Sequence, residues 1–142
     1  MGYSAIIIKR DAGVRDLANI LVVEDEEDIR KIVQISLENV GGFKVKLSAS
    51  AHEALDALTG FAPDLILLDV MMPMMDGISL LTEIRKADQF NDIPVIFMTA
   101  KVQSHEIDAY KNMGVLGIIT KPFDPVSLPE QIKDFWLSLE TA

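Results

Sequence analysis

Five short runs of aliphatic and β-branched residues recur along the chain, each followed by a segment of helical periodicity, and this alternation constrains the fold most. The runs are ILVVED (20–25), FKVKLSAS (43–50), DLILLD (64–69), IPVIFMTA (93–100) and VLGIITKP (115–122). The first, third and fourth are almost continuously apolar, as expected for strands covered on both faces of a parallel sheet. The second alternates, with Phe43, Val45 and Leu47 against Lys44, Lys46 and Ser48, and so reads as an edge strand with one wet face. Strands alternating with helices imply βαβ units with right-handed crossovers, an α/β doubly wound architecture with helices on both sheet faces.

The helical segments carry apolar stripes at i, i+3, i+4 spacing. The first holds Ile29, Ile32, Val33, Leu37 and Val40, with Ser36 as a polar interruption and Ile35 at the flank, while Glu27, Asp28, Arg30 and Lys31 fall on the opposite side and Gly41–Gly42 stops it. The second (51–59) carries Ala54, Leu55, Ala57 and Leu58, and the third (77–87) packs Leu80, Leu81 and Ile84. The fourth (104–113) has only Ile107, Ala109, Tyr110 and Met113 and is expected to be the least firmly anchored. The fifth (126–140) places Leu128, Ile132, Phe135 and Leu139 on one side, Trp136 at the flank and Leu137 outward; Pro129 sits in its first turn, where proline is tolerated.

At 142 residues the chain suits one compact domain, and residues 1–18, which do not extend the alternation, are expected to be a flexible leader to a domain spanning 19–142. Cysteine is absent, which excludes disulfides, thiol nucleophiles and zinc–thiolate sites and is compatible with a reducing cytoplasm. No secretory signal or membrane span is visible. A net charge of −9 argues against a nucleic-acid binder, which needs clustered Lys and Arg.

In such sheets ligands bind beyond the C-terminal strand ends. The residues there are Glu24 and Asp25 after the first strand, Asp69 after the third, Thr99 after the fourth and Lys121 after the fifth, with Ser48 and Ser50 less informative. An acidic residue after a strand often serves as a helix N-cap, and Asp25 alone is open to that reading. Asp69 is not, because VMMPMMDG follows it rather than a helix. Three carboxylates held together repel by about 4 kcal/mol per pair at 4 Å and an effective dielectric of 20. A hard divalent cation resolves that repulsion, and an oxygen-only donor set suits magnesium. A lysine and a threonine beside it would serve a phosphoryl group's remaining oxygens.

With the acidic pair in VVEDE, DLILLDVMMPMMDG, the threonine in FMTA and the lysine in ITKPFDP all in order at strand ends, the chain resembles the receiver domain of two-component response regulators over about 20–140. The resemblance implies a flavodoxin-like (βα)5 fold with strand order 2-1-3-4-5 and phosphorylation of Asp69. It implies that Asp25, Glu24, Asp69 and the main-chain carbonyl of Met71 hold Mg2+, that Thr99 and Lys121 contact phosphoryl oxygens, and that the Lys121–Pro122 peptide is cis. The donor would be a phosphohistidine on a sensor histidine kinase or histidine phosphotransfer protein, since His52 and His105 read as surface residues. The output would be a downstream protein target or a homodimer, through the face formed by helix four, strand five and helix five. Two departures stand out: Ile118 replaces the aromatic that usually precedes the lysine by three residues, and Met71 and Lys101 occupy positions where relatives tune hydrolysis of the phosphate. VMMPMMDG reads mainly as a shaped turn whose methionines partly plug the sheet edge. The rivals are a haloacid-dehalogenase-like phosphatase, whose second Asp is Met71 here, and a degenerate receiver that only binds partners. A stand-alone receiver and one domain of a longer chain both remain open, and the protein is expected in the cytoplasm, catalysing only its own modification.

Overall fold

The computed structural model describes residues 16–100 and 103–139. Each apolar run forms a strand: β1 (Asn19–Val23), β2 (Lys44–Ser48), β3 (Leu65–Asp69), β4 (Val95–Thr99) and β5 (Gly117–Thr120). The helices are α1 (Glu27–Ile35), α2 (Ala51–Leu58), α3 (Gly77–Lys86), α4 (Ser104–Asn112) and α5 (Leu128–Ser138). All strand pairs are parallel, in the order β2-β1-β3-β4-β5. This is the doubly wound, flavodoxin-like order expected.

Side-chain alternation splits each central strand between two cores. Ile20, Val22, Leu65 and Leu67 pack with Val33 and Ile132 under α1 and α5. Leu21, Val23, Ile66 and Leu68 pack with Leu58 and Leu80 under α2 and α3. β3 is buried at every position, so its apolar run has no wet face. β2 keeps Lys44 and Lys46 exposed, as an edge strand should, although Ser48 is buried.

Two helical stripes differ from expectation. In the first helical segment, Ile32 of α1 and Val40 beyond it are exposed rather than buried. The helix passes into a π-helical turn over Ser36–Val40, closed by the Gly41 amide donating to the Ser36 carbonyl at 3.0 Å. That wider turn rotates the stripe, so Leu37 stays inward while Val40 swings out. Ser36 is buried there, and its hydroxyl donates to the Pro125 carbonyl. In α5 the buried stripe is Leu128, Ile132, Trp136 and Leu139, so Trp136 is core rather than flank and Phe135 is only partly buried. Leu137 is exposed as read. Tyr110 is the one buried side chain of α4, and its ring meets Phe97 edge-on at 5.3 Å.

Of the leader expected over 1–18, residues 1–15 lie outside the described residues. Leu17 packs against the α1/α5 core, the Ala18 carbonyl accepts from the Lys44 amide at 2.9 Å, and its amide donates to Asp64 Oδ2 at 3.0 Å.

Candidate functional site

Register brings the site together. Val23 pairs with Leu68, so the next positions, Glu24 and Asp69, lie at the same level at the sheet edge. Asp69 pairs with Met98 and Met98 with Ile119, so Thr99 and Lys121 lie one and two residues past that row. The Lys121 amide donates to the Thr99 carbonyl at 2.9 Å, and the Lys121–Pro122 peptide is cis. Glycine is required beyond β3: a Cβ on Gly77 would lie 2.4 Å from the Asp69 carbonyl oxygen. The Gly77 amide donates to the Val70 carbonyl at 3.0 Å, so the start of α3 abuts the end of β3. Asp76 caps that helix, accepting from the Ser79 amide at 2.8 Å.

Glu24, Asp69 and Thr99 are almost fully buried and Asp25 is half-buried. One oxygen from each of Glu24, Asp25 and Asp69 lies within 4.8 Å of the others. Lys121 Nζ is 2.6 Å from Glu24 Oε1 and 3.3 Å from Asp69 Oδ1. The Met71 amide donates to Asp69 Oδ1 at 3.1 Å, and the Glu26 amide to Glu24 Oε2 at 3.0 Å. Asp69 Oδ2 and Asp25 Oδ1 are buried and accept no hydrogen bond among the described residues. Buried acceptors are rarely left so, and each costs about 1–3 kcal/mol. Burial, then the Glu24 carboxylate, pushes the Asp69 pKa up from 3.8 to about 7; Lys121 and the Met71 amide oppose this, and Asp25 adds to it. Burial works against the Lys121 charge, yet its hydrogen bond to Glu24 and the attraction of Asp69 and Glu24 outweigh that and hold its pKa above 10.5.

Three carboxylates with one ammonium leave a surplus of negative charge, and two orphaned oxygens face it. These residues fit a hard, oxygen-seeking divalent cation. Asp25 caps no helix: the residue before α1 is Glu26, which makes no side-chain cap. Ser50 is accounted for locally, accepting from the Glu53 amide as the N-cap of α2. His52 and His105 are exposed. Of the four methionines after Asp69, Met72 is buried and Met75 packs against the α2/α3 core, whereas Met71 and Met74 are exposed. Met74 adopts φ 68°, which completes the turn. Ile118 is partly buried against the α2/α3 core. Lys101 lies outside the described residues.

Sequence reasoning missed Arg30, placed on the polar side of α1. Its Nη1 donates to the carbonyls of Glu24 at 3.0 Å and Asp25 at 2.9 Å, and the side chain is half-buried. Nothing in helical periodicity signals a side chain that reaches back past its own helix start.

The family model for the response regulator receiver domain matches residues 20–133. The chain is 38% identical over 117 residues to the response regulator Rre1 of Synechocystis, covering 82% of this chain and 50% of that protein. It is 33% identical over 120 residues to a 14.6 kDa protein of Leptolyngbya boryana, covering 84% of this chain and 91% of that one. Among solved structures it resembles the chemotaxis protein CheY4 of Vibrio cholerae with a TM-score of 0.77 and 28% identity, over 84% of this chain and 99% of that one. The chain spans about half the length of several of the curated relatives it matches. By the family match over most of its length, the chain belongs to the response regulator receiver domain family.

Proposed function

We propose that this receiver domain accepts a phosphoryl group on Asp69 from a phosphohistidine of a sensor histidine kinase or histidine phosphotransfer protein, and thereby switches a partner-binding surface. The observation that carries the reading is Asp69 itself, a buried carboxylate with one oxygen free of donors and the other within 3.3 Å of Lys121. Asp69 attacks phosphorus as the carboxylate; the new bond is Asp69 O–P and the bond broken is the donor's N–P. The imidazole leaves and takes a proton from solvent. Lys121 neutralises charge on the phosphoryl oxygens, Thr99 contacts another of them, and the rigid end of β3 supplies the positioning on which phosphoryl transfer chiefly depends. Glu24, Asp25, Asp69 and the Met71 main-chain carbonyl would hold Mg2+. When bound, that ion supplies charge neutralisation at the phosphoryl oxygens and relieves the repulsion among the three carboxylates. The Met71 amide meets Asp69 Oδ1, and its exposed apolar side chain would limit water access to the acyl phosphate.

The phosphatase rival loses its general acid at Met71, and the family match does not favour it. A binding-only receiver would have no use for the charge-straining cluster retained here. For output we propose docking of a downstream protein, or a second copy, on the face of α4, β5 and α5, where α4 is held by one buried side chain and Leu137 is exposed. No described helix is long and apolar enough to cross a membrane, and we assign the protein to the cytoplasm, where such donors present their phosphohistidines.

With magnesium and acetyl phosphate, intact-mass measurement should show addition of one phosphoryl group, and Asp69→Asn should show none. Absence of modification in the wild type, or modification of the variant, overturns the assignment.

A further inference from the structure

We propose that Arg30 is a positioning residue, whose guanidinium clamps the Glu24 and Asp25 carbonyls and so aims the Asp25 carboxylate at the metal site. The proposal rests on the phospho-acceptor reading above. Beyond Val23 the chain leaves the sheet, and its last ladder contact on this side is the Glu24 amide donating to the Ser48 carbonyl at 3.0 Å. The carbonyls of Glu24 and Asp25 then lack strand partners, although buried carbonyls need donors. A single nitrogen, Arg30 Nη1, meets both, at 3.0 and 2.9 Å.

Arg30 has other choices and does not take them. It follows the acidic run EDEED (24–28) by two residues, yet among the described residues it makes no ion pair with a carboxylate, whereas the adjacent Lys31 pairs with Glu27 at 3.7 Å. Helix polarity does not explain it either, since a cation near a helix N-terminus opposes the macrodipole. The side chain therefore holds main chain, against the local electrostatic preference. The two pinned carbonyls, with the Glu26 amide on Glu24 Oε2, fix the loop on both sides of Asp25. What remains free in Asp25 is the buried Oδ1, the oxygen that accepts no hydrogen bond.

Positioning and simple charge act in opposite directions. As a positive charge, Arg30 repels a dication, so removing it would strengthen magnesium binding. As a clamp, it supports a ligand from outside the coordination sphere, and loss of such support typically weakens metal affinity 10–100-fold. Titrating magnesium chloride into the full chain by calorimetry decides between them. Arg30→Met should bind about tenfold more weakly or worse, and Arg30→Lys, which keeps the charge but shortens the donor, should fall between. In an Asp25→Asn background, Arg30→Met should add little further loss, because the group it aims is already gone. Magnesium affinity of Arg30→Met equal to or above wild type overturns the proposal, as do fully additive losses in the double variant. Should Arg30→Met fail to fold, Arg30→Gln carries the same comparison. If the wild-type chain itself binds no magnesium, the site assignment falls and this inference with it; wild-type binding with an indifferent Arg30 removes the inference alone.

Discussion

Asp69→Asn should stabilise the metal-free protein, and the gain should depend on pH in a way only a strained carboxylate produces. The Asp69 pKa rises from 3.8 to about 7 in the fold, which corresponds to about 4 kcal/mol. Because Asp69 is 1% exposed, solvent screening reduces this little. A carboxylate whose folded pKa lies above its unfolded value binds more protons folded than unfolded between the two. Stability is therefore lost as pH rises from about 4 to about 7 and stays low above that. Asparagine mimics the neutral acid at every pH, so it should gain about 2–4 kcal/mol at pH 8, the lower figure allowing for amide groups that fit the pocket imperfectly. At pH 5, close to the unfolded pKa, most of that cost is not yet incurred, so the gain should shrink to less than half of its pH 8 value. Urea unfolding in EDTA, followed by the fluorescence of Trp136, the only tryptophan and a buried one, reads both values. With a slope of about 2 kcal/mol per molar urea, the midpoint at pH 8 should move by about 1–2 M. A gain equal at pH 5 and pH 8, or a loss at pH 8, refutes the electrostatic account of the site.

Magnesium at a hundred times its dissociation constant should stabilise the wild type by about 2.7 kcal/mol, seen as a rise in Tm. Asp25→Ala should remove most of that rise while leaving the metal-free Tm unchanged or higher. Gly77→Ala should cost about 2–3 kcal/mol in urea unfolding and weaken magnesium binding, because the new methyl meets the Asp69 carbonyl carbon and oxygen at the acceptor itself. Met74→Gly should gain up to about 1 kcal/mol by relieving the left-handed backbone at φ 68°, since the methionine side chain is 99% exposed and packs nothing. Amide hydrogen exchange should be faster in α4 than in α3 or α5, since Tyr110 alone is buried in that helix whereas each of the other two buries four residues.

The strand pattern was legible because burial on both faces leaves no ambiguity of period: LILL in β3 and VIFM in β4 have only one use. The acidic pair, Asp69, Thr99 and Lys121 were legible because strand ends in a parallel sheet share one edge, so position along the chain became position in space. What escaped had a local cause that pattern does not carry. An α-helical period carried through Ser36–Val40 points Val40 inward, but the hydrogen bonding there widens to a π-helical turn. A stripe drawn through Leu128, Ile132, Phe135 and Leu139 puts Trp136 at the flank, whereas Leu128, Ile132 and Trp136 form an uninterrupted i, i+4, i+8 line into the core. Arg30 was assigned by the side of the helix it starts from, and a long side chain acts where its end lies. The methionines divide for the same reason: which of them packs is set by the turn that Pro73, Met74 and Gly77 impose, not by the run of identical letters.

The carboxylate at the end of a buried strand is also where the fold best tolerates it. Leu65, Ile66, Leu67 and Leu68 are all fully buried, and burial of each side chain contributes roughly 1.5–3 kcal/mol, so the four contribute about 6–12 kcal/mol as an upper estimate. The ionised Asp69 costs about 4 kcal/mol by its pKa displacement. Burial therefore exceeds the electrostatic cost, and β3 holds its register with Asp69 where water would otherwise draw the charge out. A mobile loop has no comparable burial and would relax, separating Asp69 from Glu24 and Asp25. The strain is thus retained only because the strand is buried: a proton or a neutral substitute at Asp69 recovers what the bare carboxylate costs, and a cation held by the three carboxylates would recover part of it.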